Sequence, residues 1–364
     1  MTNTDISPFR VDIPQSDLDD LMARLERTRL PRPAPGDSWE HGTPNHYLTE
    51  AVEAWRRFDW RAAEKRINAH PHFMTEVDGQ PLHFIHVESP NPDATPLLLL
   101  HTYPGSSADY LDMIDHLTDA FHIVAPDAPG FGFSNPVPET GWNAARVAAA
   151  YDTLMRRLGY DSYGVHGSDN GAMVARELGV LSPPGFLGLH VQQLFSFPSG
   201  DPAEFEKLEP ADYAGLEHMQ WFQKVGGYNT MNASRPQTVA AALSDSPVGL
   251  LAYSELFNSF GNGTSLVPLE TILLETTVAW FTNAPAGMSR AYYDNATDDP
   301  TPANNAPTGV AVFADDFRTI KAFAERDNSN IVHWSHFDRG GHFAALEVPD
   351  VLAEDIRTFF AARR

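Results

Sequence analysis

Apolar residues along the first third of the chain recur mostly at helical spacing. Leu18, Leu21, Met22 and Leu25 lie three and four residues apart, which puts them on one helix face. Ser16 stands before them as an N-cap with Asp19 three residues on, so a helix is predicted to about Arg29, after an extended piece over 8–14. Pro31, Pro33 and Pro35 end it and make a linker or wrapping loop over 30–36. Two more amphipathic helices are predicted over 46–57 and 60–69. Strands at 73–77 and 82–87 flank Asp78-Gly79, a strong hairpin signal. The pattern then alternates: strand 97–100, strand 122–125, helix 142–158, strand 163–165, a helix from about 170, and strand 186–191. An irregular helical region follows to about 299. Strand 308–313, helix 319–326, strand 331–335 and a helix from Asp350 resume the alternation. Strands separated by helices predict an α/β fold, a mostly parallel sheet flanked by helices. No internal repeat or low-complexity segment interrupts it.

Composition narrows what such a fold binds. Among 364 residues, Lys+Arg 25 against Asp+Glu 48 gives a net charge of −23. That charge argues against nucleic acid and anionic membranes as partners. With no Cys there is no disulfide framework, thiolate nucleophile or Cys-ligated metal. No apolar run approaches ~18 residues, so no membrane span is expected. The first ten residues lack a basic stretch followed by an apolar run, so no signal peptide is expected and the setting is taken as cytoplasmic.

The chain is organised around 163–174, Tyr-Gly-Val-His-Gly-Ser-Asp-Asn-Gly-Ala-Met-Val. A short apolar strand runs through small residues directly into a helix. Ser, Asp, Asn and Gly also make ordinary turns. In the nucleophile elbow of α/β-hydrolases, a strained strand-to-helix turn holds one side chain above the sheet, and small residues must stand two before and two after it. Gly167 and Gly171 bracket Asp169 in this way, whereas His166 and Asn170 would flank Ser168. The spacing selects a carboxylate nucleophile, Asp169. Acylation of an Asp would give a labile anhydride, so this nucleophile suits displacement at an sp³ carbon, with epoxides and alkyl halides as electrophiles.

Three further stretches complete a site. His101-Thr102-Tyr103-Pro104-Gly105-Ser106 follows a predicted strand, where this fold draws one backbone donor of an oxyanion hole; the donors here are Tyr103 and Asn170, although Pro-Gly-Ser also suits a plain turn. Arg339-Gly340-Gly341-His342-Phe343 offers His342 as a base that takes a proton from water, with His333 and His336 as rivals in or beside a strand. Asp315 and Asp316 follow strand 308–313, where an acid that orients the base would stand. The order Asp169, Asp316, His342 is the nucleophile–acid–base order of α/β-hydrolases.

Together these motifs resemble the microsomal-type epoxide hydrolase family over nearly the whole sequence. Phe9-Arg10-Val11-Asp12-Ile13-Pro14, Phe58-Asp59-Trp60-Arg61, Ile67-Asn68 and Pro71-His72-Phe73 look like its N-terminal segment. Asp127-Ala128-Pro129-Gly130-Phe131-Gly132-Phe133-Ser134 and Gly340-Gly341-His342-Phe343-Ala344-Ala345 are similar to its later core motifs. The resemblance implies two cap tyrosines that hydrogen-bond the epoxide oxygen. Gly227-Tyr228-Asn229 looks like the segment carrying the first. Ser289-Arg290-Ala291-Tyr292-Tyr293-Asp294-Asn295 looks like the segment carrying the second, Tyr292 in better register and Tyr293 adjacent. Thr102 and Tyr103 stand where the family has Gly and Trp, and Asn170 where a large residue is common. A β-branched Thr does not readily take positive φ, so the oxyanion hole is a place where this chain departs.

The implied architecture is an α/β-hydrolase core at 91–195 and 301–364, a helical cap inserted at 196–300, and an N-terminal segment at 1–90 packed around the core. The implied reaction converts an epoxide and water to a vicinal diol through an ester on Asp169, without metal or organic cofactor. The alternatives are a haloalkane-type dehalogenase with the same nucleophile, and a catalytically lost hydrolase fold that binds a biosynthetic intermediate; a serine esterase lacks its Ser at the elbow. The epoxide's identity and the oligomeric state, a homo-oligomer included, stay open.

Overall fold

The computed structural model describes residues 5–210, 212–258, 265–296 and 302–363. The predicted far end of the cap, near 300, lies outside the described residues. Strand β1 (Ser7–Phe9) is followed by helices α1 (Gln15–Glu26), α2 (Asn45–Arg56) and α3 (Trp60–Ile67), then β2 (His72–Val77) and β3 (Gln80–Val87). Asp78 and Gly79 both take positive φ, 53° and 76°, as the tight β2–β3 turn requires. Then come β4 (Thr95–Leu100), β5 (Phe121–Pro126), α4 (Ala144–Arg157), β6 (Tyr163–Gly167), α5 (Asn170–Leu181) and β7 (Phe186–Val191). The irregular stretch resolves into α6 (Asp212–Val225), α7 (Gly227–Ser234), α8 (Pro236–Asp245), α9 (Pro247–Tyr253), α10 (Leu269–Phe281) and α11 (Pro285–Asn295). Strand β8 (Thr308–Val312), α12 (Lys321–Asp327), β9 (Ile331–His336), α13 (Ala344–Glu347) and α14 (Pro349–Ala361) close the chain.

The described strands form one sheet in the order β1-β2-β3-β5-β4-β6-β7-β8-β9, antiparallel from β1 through the β3–β5 pair and parallel beyond it. Both faces are covered. Leu97 and Leu99 of β4 pack with Ile356 and Phe359 of α14 on one side. Leu98 and Leu100 pack with Leu154 of α4 and Leu178 of α5 on the other. This alternation explains why β4 reads as an unbroken apolar run: a central parallel strand buries both of its faces, each leucine contributing ~1.5–3 kcal/mol. On the far side of the site, Leu21 and Leu25 of α1 and Leu48, Val52 and Trp55 of α2 pack on Leu251 of α9 and Leu273 of α10.

One local expectation fails. Ser16 is not an N-cap: α1 begins at Gln15 with Pro14 in the cap position, and the Ser16 hydroxyl donates to Asp17 at 3.1 Å. The Pro14 carbonyl accepts the Asp17 N–H at 3.0 Å, and Glu64 Oε1 of α3 anchors the preceding residue by accepting the Ile13 N–H at 2.8 Å.

Candidate active site

Asp169 stands between β6 and α5 with φ 50° and ψ −116°, a backbone region that costs an ordinary residue ~1–3 kcal/mol. The surrounding packing imposes it. A Cβ on Gly167 would lie 2.2 Å from the Gly171 carbonyl oxygen, and one on Gly171 would lie 2.2 Å from the Leu100 carbonyl oxygen. Strand, turn and helix close on each other with no room for a methyl group at either position. Gly171→Ala is therefore expected to destabilise the fold by ~1–3 kcal/mol and to lower activity beyond the loss of folded protein, measured by thermal unfolding alongside turnover. Ser168 is buried, and its hydroxyl donates to Gln192 Oε1 at 3.2 Å.

His342 approaches from the loop before α13. Its Nε2 lies 3.9 Å from Asp169 Oδ2, and its Nδ1 lies 2.8 Å from Asp316 Oδ1. Asp316 is 2% exposed, whereas its neighbour Asp315 faces solvent, so the two adjacent carboxylates are separated by orientation. Burial alone would push the His342 imidazole down. The Asp316 charge, aided by Asp169, outweighs that and pushes it up to about 10. Burial acts to raise the Asp316 carboxyl, yet its interaction with His342 holds it below the ordinary value.

Two side chains absent from the sequence reading brace this trio. Gln193 Oε1 accepts the Asp169 N–H at 2.6 Å, and Gln193 Nε2 donates to Asp316 Oδ2. Gln192 Nε2 donates to Asp316 Oδ2 at 2.9 Å and to the His342 carbonyl at 3.0 Å. Both directly follow β7, so the strand-end logic that located Asp316 applies to them equally.

The loop after β4 supplies a backbone donor. The Tyr103 N–H points at Asp169 Oδ2 at 3.1 Å, and Asn170 opens α5 beside it. The feared strain at Thr102 is absent: among the described residues, the non-glycine positions at positive φ are Asp37, Asp78, Asp169, Ser182 and Asn283. His101 holds the loop, its Nδ1–H donating to the Thr102 carbonyl at 3.0 Å while its Nε2 accepts the Ala128 N–H at 3.0 Å. That pair of contacts fixes the neutral tautomer, and burial pushes this imidazole down, in the same direction.

Above Asp169, three tyrosine rings converge. Tyr228 of α7 stacks on Tyr103 at 6.2 Å and 7°, and Tyr292 of α11 meets Tyr103 edge-on at 4.8 Å. The Tyr228 and Tyr292 rings meet edge-on at 6.0 Å. Burial first, and then nearby groups including the Asp169 charge, raise both phenols well above their ordinary range, so they remain protonated donors. Tyr293, the next residue on α11, is 52% exposed. A further pair was not foreseen: Asn232 Nδ2 of α7 donates to the Tyr253 hydroxyl of α9 at 2.7 Å and to the Tyr103 hydroxyl at 3.1 Å, pinning the Tyr103 ring. No periodic or motif signal marks them.

The rival histidines lie elsewhere. His336 is exposed and accepts from Trp334 Nε1 at 3.0 Å. His333 Nε2 and His190 Nε2 lie 2.8 and 2.9 Å from the two oxygens of Asp355. Donor atoms around a tetrahedral zinc would stand about 3.3 Å apart, so these spacings are those of partners sharing protons, and the cluster ties β7 and β9 to α14.

Sheet order, elbow and strand-end acid define an α/β-hydrolase, and a family model described as “alpha/beta hydrolase fold” matches residues 95–290. A second, “Epoxide hydrolase N terminus”, matches residues 6–110. The chain is 38% identical over 378 residues to a Stigmatella aurantiaca (strain DW4/3-1) protein named “Putative epoxide hydrolase”, covering 99% of this chain and 86% of that one. It is 30% identical to Epoxide hydrolase 1 of Sus scrofa, covering 97% and 88%. In structure it matches the juvenile hormone epoxide hydrolase of the silkworm Bombyx mori with TM-score 0.93 at 26% identity, covering 100% and 96%. It matches Aspergillus niger epoxide hydrolase with TM-score 0.87 at 29% identity, covering 100% and 98%. The chain belongs to the epoxide hydrolase family.

Proposed function

We propose that this chain hydrolyses a small-molecule epoxide to a vicinal diol, with Asp169 as nucleophile, His342 as base, Asp316 as its orienting acid, Tyr228 and Tyr292 as donors to the epoxide oxygen, and the backbone N–H groups of Tyr103 and Asn170 as the oxyanion hole. The observation that carries this reading is the convergence on one carboxylate: Asp169 lies within 3.9 Å of a buried imidazole on one side and under two protonated phenols on the other. In the first step an Asp169 oxygen attacks an epoxide carbon, the C–O bond breaks, and a phenol passes its proton to the departing oxygen. In the second, water gives a proton to His342 Nε2 and adds to the ester carbonyl, and the negative oxygen that forms is met by the backbone donors. Collapse expels the alkoxide, which takes the His342 proton; the remaining water proton restores the phenol.

Electrostatics orders the two steps. While Asp169 is ionised, His342 is held protonated and cannot act as a base. Alkylation removes the Asp169 charge, one of the two carboxylates that raise the imidazole, so His342 gives up its proton to solvent more readily once there is an ester to hydrolyse.

Incubation with styrene oxide and analysis for phenyl glycol tests the reaction. Diol formation at a rate proportional to protein supports it. No diol from a panel of aryl and alkyl epoxides, with halide released from haloalkanes, would replace it with the dehalogenase. Tyr228→Phe and Tyr292→Phe are each expected to slow alkylation by ~10–10²-fold, and together by ~10²–10⁴-fold, with hydrolysis of the preformed ester little changed; rapid quench separates the steps. Division into core, cap and N-terminal segment, and a cytoplasmic setting, belong to the same proposal. Among the described residues no helix is long and apolar enough to cross a membrane.

A further inference from the structure

Behind the Thr102–Tyr103 turn two carboxyl groups meet in the interior, and no step above uses them. Asp109, 1% exposed, lies in the short turn Ser107–Tyr110 after the loop; Glu275, 3% exposed, lies on α10. Each lies near enough to act on the other's carboxyl. Asp109 Oδ2 accepts the Thr102 N–H at 3.0 Å, and Glu275 Oε2 accepts the Ser106 O–H at 2.8 Å. The other two oxygens, Asp109 Oδ1 and Glu275 Oε1, receive no hydrogen bond from a protein donor. A Cβ on Gly105 would fall 2.3 Å from Asp109 Oδ1, so this carboxyl packs directly on the loop backbone.

Two ionised carboxylates in this position would repel each other with unfilled acceptors, at a cost that buried groups avoid by taking up a proton. One proton between them supplies the missing donor and removes one charge. The other titrating groups around the pair act in both directions: Asp127 raises both carboxyls, His342 draws Asp109 down, and the Tyr110 hydroxyl beside Asp109 is committed to the Leu100 carbonyl at 2.7 Å.

We propose that Asp109 and Glu275 hold a single shared proton and act as a positioning pair for the Tyr103 N–H, Asp109 through the adjoining Thr102 amide and Glu275 by tying α10 to the same turn. The inference rests on the reading in which that N–H stabilises the intermediate of ester hydrolysis. Burial, then the neighbouring charges, push both carboxyls up, Asp109 to about 8. A value raised above that of the unfolded chain means stability that is complete at acid pH and lost as the pH climbs through about 8. The pair therefore loosens the loop on the alkaline side.

Two measurements on the full chain test this. The infrared difference spectrum of wild type minus Glu275→Gln near neutral pH is expected to contain the C=O stretch of a protonated carboxyl that shifts in D₂O; its absence would overturn the shared proton, whatever the turnover. In rapid-quench single turnovers, Glu275→Leu removes the donor and is expected to slow ester hydrolysis about 10²-fold while alkylation changes far less. Glu275→Gln and Asp109→Asn each restore one hydrogen between the two groups and are expected to recover hydrolysis to within about ten-fold of wild type, with the alkaline loss removed in Glu275→Gln. Equal slowing of both steps in Glu275→Leu, or a glutamine variant as impaired as the leucine one, would reduce the pair to a structural contact. If wild type forms no ester, the covalent mechanism falls, while the infrared band still decides the shared proton.

Discussion

Asp169→Asn is expected to leave a folded protein that forms no alkyl-enzyme ester, with turnover lower by about 10⁴-fold or more. The substitution keeps the shape of the side chain at φ 50°, so it adds no new steric strain to the elbow. What it removes is the charge and the nucleophilic oxygen. The amide also withdraws one of the carboxylates that hold His342 protonated, so the imidazole should titrate at lower pH than in wild type, where it is pushed up to about 10. An NMR titration of His342 in both proteins checks the electrostatic coupling, and diol formation checks the chemistry. A variant that retains more than about a tenth of the activity would move the nucleophile elsewhere.

His342→Gln separates the steps instead of abolishing both. The nucleophile is intact and Tyr228 and Tyr292 are untouched, so alkylation should proceed, while hydrolysis slows by ~10²–10⁴-fold for want of a base. The ester should then accumulate to one per protein and be visible as a mass increase equal to the epoxide. Asp316→Asn should weaken hydrolysis through the same imidazole. Burial would push His342 down once its main opposing charge is gone, and the Nδ1 contact that fixes the tautomer would be altered. Hydrolysis in wild type should rise with pH as the ester-state imidazole loses its proton, and His342→Gln should abolish that rise.

The place of Asp169 at the elbow was legible because sterics leave a spacing: only small residues pass the β6–α5 turn, so Gly167 and Gly171 point to Asp169 without a structure. The meeting of His342 with Asp316 was legible because glycines and strand ends mark where loops approach the sheet edge. Tyr228 and Tyr292 came only from family resemblance, since nothing in the local pattern of α7 or α11 separates them from core aromatics, and only packing distinguishes Tyr292 from exposed Tyr293. The contacts that depend on distant segments were not legible. Glu275 reaches Ser106 across 169 residues, Gln192 reaches Asp316 across 124, and Asn232 reaches Tyr103 across 129. Each is a polar residue on an otherwise ordinary helix or strand end until the fold brings its partner. The failed cap at Ser16 is in keeping with this: Pro14 takes the cap position, and the chain before it is held by a distant carboxylate, Glu64.

The most direct measurement is a single turnover of styrene oxide in ¹⁸O-water with protein in excess, followed by mass spectrometry of the diol and of the peptide carrying Asp169. A covalent ester on Asp169 predicts ¹⁶O in the first diol, delivered from the carboxylate, and ¹⁸O retained in that peptide. Diol carrying ¹⁸O from the first turnover, with an unlabelled peptide, would mean that water attacks the epoxide directly and would contradict the nucleophilic role of Asp169.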